Sequence, residues 1–215
     1  MPSFNCSAIL FDLDGVLVDS TRSVERHWKI WAAEHNLDFH RLLAVAHGRR
    51  TSETIRLIAP QLDSESEVQR IEHREADDVE GVQVMPGARE LVESIPQGRW
   101  GIVTSGTRHL ATSRLKLAQI PIPAVLVTAE SVKEGKPHPA PYLMGAQLLG
   151  LSPEDCVVIE DAPAGVDSAR AAGATVIGLA NTYPAENLKA ANGVIHGLEQ
   201  LLVRSLDNGR LTLEW

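Results

Sequence analysis

Four short strings in this chain carry side chains that could act together. Asp12-Leu13-Asp14-Gly15 follows the apolar run Ala8–Phe11, Thr104-Ser105-Gly106 follows Trp100–Val103, and Glu160-Asp161 follows Cys156–Ile159. The fourth, Gly135-Lys136-Pro137, comes soon after Ala124–Val127. Carboxylates gathered at one place are costly unless a cation accompanies them. Hard oxygen ligands without a His/Cys cluster suit Mg²⁺. A magnesium ion, a carboxylate nucleophile and hydroxyl or backbone donors together make a site for phosphoryl transfer. Such a site also needs a cation for the transferring group, and Lys136, fixed between a glycine and a proline, supplies it. It is not a P-loop lysine, because the Gly-x-x-x-x-Gly-Lys-[Ser/Thr] pattern is absent.

The elements that must position these groups are legible as short apolar runs separated by helical stretches. To the four runs above, Thr175–Leu179 and the weaker pair Val194-Ile195 are added. Continuous runs this short fit strands buried on both faces of a parallel sheet. Pro163 opens an alanine-rich helix that stops at Gly173, and Pro86-Gly87 precedes another. The alternation predicts an α/β fold with a doubly wound parallel sheet, in which ligands bind beyond the carboxyl ends of the strands. The tail Arg210–Trp215 alternates and is expected to form a small terminal strand over the sheet.

Residues 18–83 contain no convincing strand and are too long for an ordinary crossover. Val24, Trp28, Trp31, Ala32 and His35 share one helical face. Ser64 and Glu67 fit a capping box ahead of Val68 and Ile71. The reading is an inserted all-α helical cap, residues 18–83, on an α/β core formed by residues 1–17 and 84–215. Eight acids crowd residues 63–80 and are expected to form a solvated helix face. Arg41, Arg49, Arg50 and Arg56 cluster in 41–56, beside the expected loop His47-Gly48.

Composition narrows the partners. The formal net charge of −8 and 4% aromatic content disfavour nucleic-acid binding. No apolar run approaches the ~20 residues that cross a bilayer, so no membrane partner is expected. No signal peptide is visible at the N-terminus. Cys6 and Cys156 adjoin apolar runs and are expected as two buried thiols rather than a disulfide. These features predict a cytoplasmic monomer whose partner is a small-molecule phosphate ester.

The four strings, read in order with Val16 and Ala162-Pro163-Ala164-Gly165 added, resemble the motifs of the haloacid-dehalogenase-like hydrolase superfamily. The insertion is similar to the cap of its phosphoglucomutase-like subgroup. Longer strings, among them His47-Gly48-Arg49-Arg50-Thr51, Thr104-Ser105-Gly106-Thr107-Arg108 and Gly135-Lys136-Pro137-His138-Pro139-Ala140-Pro141-Tyr142-Leu143, resemble glycerol-phosphate and 2-deoxyglucose-6-phosphate phosphatases.

The resemblance implies roles. Asp12 would form an aspartyl-phosphate, and Asp14 would serve as general acid and base. Asp12, the Asp14 carbonyl and Asp161 would hold Mg²⁺, with Glu160 a direct or outer ligand. Thr104, Ser105, Gly106 and Lys136 would bind the phosphoryl group. Trp28, His47, Arg49, Arg50, Thr51 and Arg108 are the candidates for substrate choice, with cap packing the competing role for Trp28. His138 reads as loop structure. The related sugar-phosphate mutases carry a histidine at the position matching Val24. Its loss favours hydrolysis over mutase chemistry, with a catalytically silent binding protein as a further alternative.

Overall fold

A computed structural model describes residues 2–46, 48–206 and 209–215. The strands and helices, in chain order, are β1 (Ser3–Cys6), β2 (Ala8–Phe11), β3 (Val18–Asp19), α1 (Thr21–Glu34), α2 (Phe39–Ala46), α3 (Thr51–Ile58), α4 (Ser64–Ala76), β4 (Gln83–Val84), α5 (Ala88–Ser94), β5 (Trp100–Val103), α6 (Arg108–Ala118), β6 (Val125–Val127), α7 (Ala140–Leu148), β7 (Cys156–Glu160), α8 (Pro163–Ala171), β8 (Thr175–Leu179), β9 (Gly193–Ile195), β10 (Leu202–Ser205) and β11 (Leu211–Glu214).

The main sheet is six-stranded and parallel, in the order β6-β5-β2-β7-β8-β9. Alternate side chains of each strand enter opposite cores. Ile9, Phe11, Ile102 and Ile159 join one cluster with Leu91, Ala111 and Leu115. Leu10, Val103 and Val158 join the other with Tyr142, Ala146 and Val166. Helices α5 and α6 therefore cover one face, and α7 and α8 the other. Each fully buried aliphatic side chain contributes roughly 1.5–3 kcal/mol. The chain winds outward from β2 in both directions, so the carboxyl end of β2 is where the strand order reverses.

The expected helix punctuation is present. Pro163 occupies the first turn of α8, and Gly173, with φ +93°, follows its end. Both cysteines are buried and free. The tail does form a strand, but not on the main sheet: β11 pairs with β1 and β10 in a separate three-stranded antiparallel sheet.

The insertion leaves the core through β3 and returns through β4, a two-residue antiparallel pair. Between them, α1 to α4 pack around a separate core of Trp28, Trp31, Ala32, Leu42, Ile55 and Ile71. Trp28 and Trp31 meet edge to face with centroids 5.4 Å apart. The expected capping box is replaced. Asp63 caps α4 by accepting from the Glu65 N–H, while Glu67 Oε2 accepts from Trp31 Nε1 at 2.6 Å. Glu67 is thus drawn inward by a buried indole, which leaves no reciprocal contact for Ser64.

Candidate active site

The reversal point sets Asp12 directly after the central strand, its N–H donating to Ile159 O on β7. Lys136 reaches it from the loop before α7. Its ammonium, in a residue only 1% exposed, donates to Asp12 Oδ1 at 2.8 Å, Val103 O at 2.9 Å and Glu160 Oε1 at 2.6 Å. The Lys136–Pro137 peptide is cis. Tyr142 supports the same point, donating to Glu160 Oε1 at 2.9 Å. Glu160 Oε2 accepts from the N–H groups of Asp161 and Ala162. A Cβ at position 165 would lie 1.7 Å from Glu160 Oε1, so Gly165 is what lets α8 start beneath this carboxylate.

Ligand atoms of Asp12, Glu160 and Asp161 all lie within 4.8 Å of one another. Burial pushes the Asp12 carboxyl up to about 7, with Lys136 pulling against it and Glu160 and Asp14 adding to it. Burial, Glu160 and Asp12 hold Asp161 well above the ordinary carboxylate range. Against the pull of burial, Asp12 and Glu160 raise the lysine and keep it charged. Three buried carboxylates facing one ammonium form a donor set that fits a divalent cation. Glu160 already accepts four hydrogen bonds, so Asp12 and Asp161 are the better placed of the three to ligate.

Asp14 points the other way, toward the insertion. Its Oδ1 accepts from Ser20 Oγ at 2.7 Å and pairs with Arg114 at 2.6 Å. Gly15, at φ +81°, follows it; a Cβ there would lie 1.9 Å from Asp161 Oδ2. At the end of β5, Thr104 Oγ1 accepts from the Gly106 N–H, and Ser105 Oγ donates to Gly48 O of the insertion at 2.9 Å. Asp12, Asp14, Thr104, Ser105, Gly106 and Asp161 share one cleft of about 90 Å³ between core and insertion. A cleft of this size suits a compact ester.

The expected substrate residues separate into two groups. Trp28, Arg49 and Thr51 line the cleft, Trp28 while also packing in the insertion's core. Arg50 and Arg108 do not belong to its lining. Arg50 is buried and turned toward the lysine loop, donating to Val132 O and Lys133 O at 2.9 Å each. Arg108, the first residue of α6, donates from its side chain to Leu126 O, and its N–H meets Glu130. Both are engaged elsewhere: Arg50 latches the insertion to the core and Arg108 pins α6 to the sheet edge. His47 lies outside the described residues. His138 serves the loop, as expected: its Nδ1 accepts from the Ala140 N–H and its carbonyl from Ser168.

Sequence reasoning assigned no role to Arg114, Glu75, Ser20 or Tyr142. Arg114 is 3% exposed and bridges Asp14 to Glu75 Oε2, the latter at 2.5 Å. Burial pushes Glu75 up to about 7, Arg114 opposing and Glu72 and Asp14 adding. The acidic run is therefore not all solvated, since Glu72 and Glu75 are both buried at the interface. Their three-residue spacing on α4 was the available signal. Arg114 sits mid-helix among mixed residues and carried none.

Residues 6–173 match the family model of haloacid dehalogenase-like hydrolases. The chain is 44% identical over 214 residues to hexitol phosphatase A of Escherichia coli (strain K12), covering 97% of this chain and 99% of that protein. It is 34% identical over 200 residues to glycerol-1-phosphate phosphohydrolase 1 of Saccharomyces cerevisiae, covering 87% and 80%. A solved structure of β-phosphoglucomutase from Clostridium difficile matches with a TM-score of 0.79 at 25% identity, covering 92% of this chain and 93% of that one. With the order of motifs, the strand reversal at Asp12 and the helical insertion all agreeing, the chain belongs to the haloacid dehalogenase-like hydrolases.

Proposed function

We propose that this protein is a Mg²⁺-dependent phosphatase of small sugar or polyol monophosphates, using Asp12 as nucleophile and Asp14 as general acid and base. The observation that carries it is the division of labour around Asp12. A lysine and three carboxylates meet on one side, and a carboxylate held by Ser20 and Arg114 faces the cleft on the other. Curated relatives named as hexitol and glycerol-1-phosphate phosphatases support the substrate class.

In the first half of the reaction a carboxylate oxygen of Asp12 bonds to phosphorus as the ester P–O bond breaks. Asp14 gives its proton to the departing alkoxide. In the second half, water attacks the aspartyl-phosphate, Asp14 takes back a proton, and inorganic phosphate leaves with Asp12 restored. Lys136 orients Asp12 and balances its charge. Ser105, Gly106 and Thr104 donate to the phosphoryl oxygens, where fixed donors stabilise spreading charge. Asp12, the Asp14 carbonyl and Asp161 would hold Mg²⁺, with Glu160 acting from outside by fixing Lys136. When bound, the ion supplies charge neutralisation at phosphorus. Residues 18–83 act as the cap that excludes water and selects the leaving group, with Trp28, Arg49 and Thr51 at the cleft. Two free, buried thiols suit a reducing compartment, the cytoplasm.

Val24 lines the cleft with an apolar side chain, where the mutase resemblance would set a histidine. That favours loss of phosphate to water over its return to sugar. Phosphate release from glycerol 1-phosphate and p-nitrophenyl phosphate with Mg²⁺ tests the reading. Asp12→Asn is expected to lower it by roughly three orders of magnitude or more. A folded protein that releases phosphate from no ester refutes it.

A further inference from the structure

Asp14 is tied through a single guanidinium to a carboxylate of the opposite lobe. Arg114 on α6 contacts Asp14 with one nitrogen and Glu75 of α4 with another. Glu75 therefore lies one guanidinium width from the group facing the ester oxygen, on the leaving-group side of the cleft. It is part of that cleft's lining although its residue is only 4% exposed. Oε2 is taken by Arg114; Oε1 makes no hydrogen bond among the described residues. Because Glu75 lines the cleft, that oxygen can accept a hydrogen bond from a group bound there.

The charge around it narrows what that donor can be. Asp14, following β2, and Glu75 and Glu72, both on α4, all act on Arg114 of α6, the cation among them. Glu72 is occupied at Oε2 by the Thr107 N–H. In the cleft's lining Asp14 and Glu75 share Arg114, with Arg49 a further cation, so an anionic group placed beside Glu75 is disfavoured by that carboxylate whereas a neutral hydroxyl is accepted.

We propose that Glu75 is a specificity-determining residue whose Oε1 accepts a hydrogen bond from a hydroxyl of the leaving alcohol near the ester oxygen, selecting neutral polyol esters over anionic ones. The inference rests on the phosphatase reading above and names the group that sets its substrate class. It also gives Arg114 a second purpose: it fixes Glu75 and Asp14 relative to each other, so the hydroxyl and the ester oxygen are held together.

The test compares kcat/KM for glycerol 1-phosphate, propyl phosphate and phosphoglycolate, with Mg²⁺, in the parent and in Glu75→Leu and Glu75→Gln. The parent is expected to prefer glycerol 1-phosphate to propyl phosphate by roughly 10- to 100-fold, the range for a charge-assisted hydrogen bond to substrate. In Glu75→Leu that ratio falls to about one, whatever the variant's absolute rate. In Glu75→Gln the phosphoglycolate to glycerol 1-phosphate ratio rises about tenfold as the negative charge is removed. A parent ratio near one, or a parent-like ratio retained in Glu75→Leu, overturns the proposal. The parent ratio needs no variant, so misfolding of either substitution leaves the proposal open to refutation. Hydrolysis of p-nitrophenyl phosphate but of none of the three esters overturns the inference alone, whereas release of phosphate from no ester overturns the phosphatase reading and the inference with it.

Discussion

Replacing Lys136 with methionine separates charge from shape at the centre of the site. The methionine fills nearly the same volume, so the change adds little cavity or overpacking cost. It removes three donations, to Asp12, Glu160 and Val103 O, from a group with almost no solvent contact. What remains is a cluster of Asp12, Glu160 and Asp161 within 4.8 Å and no ammonium among them. Removing one partner of a buried ion pair costs about 3–5 kcal/mol, because the surviving charge is stranded. With a urea dependence of roughly 2–3 kcal/mol/M, the unfolding midpoint of Lys136→Met should fall by about 1–2.5 M in metal-free buffer. Combining it with Asp12→Asn removes one stranded carboxylate. The double variant should then lose at least about 1 kcal/mol less than the sum of the single losses. Phosphate release by Lys136→Met should fall about 100-fold or more. A loss of stability under about 1 kcal/mol, or strict additivity with Asp12→Asn, would refute the electrostatic account of this lysine.

Arg50→Gln removes a charged donor from the carbonyls of Val132 and Lys133 and should cost about 1–3 kcal/mol in urea unfolding. Amide exchange in residues 132–135 should quicken about tenfold; unchanged exchange there would show that the latch does not restrain the lysine loop. Burial raises the thiols of Cys6 and Cys156 to about 11 and about 12, so almost no thiolate exists at pH 8. Ellman's reagent at that pH should titrate neither cysteine in the native protein and both in guanidinium. A rapid native reaction would contradict their burial.

The parallel sheet was legible because its strands are buried on both faces and read as unbroken apolar runs. Cys156–Ile159 and Thr175–Leu179 announce themselves without reference to any partner. The antiparallel pieces were harder. Ser3–Cys6 and Leu202–Ser205 have mostly exposed or half-exposed side chains, and β3 and β4 are too short for a period. At the site, Asp12, Asp14, Lys136 and Asp161 stood out because each follows or flanks a strand end. Arg114 and Glu75 belong to helix interiors, and their meeting depends on how α4 docks on α6. That is a tertiary fact which helical spacing alone does not encode. Arg50 shows the converse case: the basic cluster suggested a substrate contact, and the fold gives this arginine two carbonyl partners, Val132 O and Lys133 O, that its sequence neighbours do not foretell.

The central position of β2 also constrains synthesis on the ribosome. Ile9 pairs with Trp100 and Ala8 with Cys156, so the main sheet's first-made strand waits for both neighbours. The insertion, whose contacts are nearer in sequence, emerges before either neighbour and can begin to organise earlier. Asp12 is exposed to the cell long before Lys136, 124 residues later, and Asp161 arrive. On the proposed roles, a nascent or truncated chain carries Asp12 without Lys136 or Asp161 beside it and is expected to release no phosphate from esters. The site is complete only once β7 has docked on β2 and brought Glu160 and Asp161 beside Asp12.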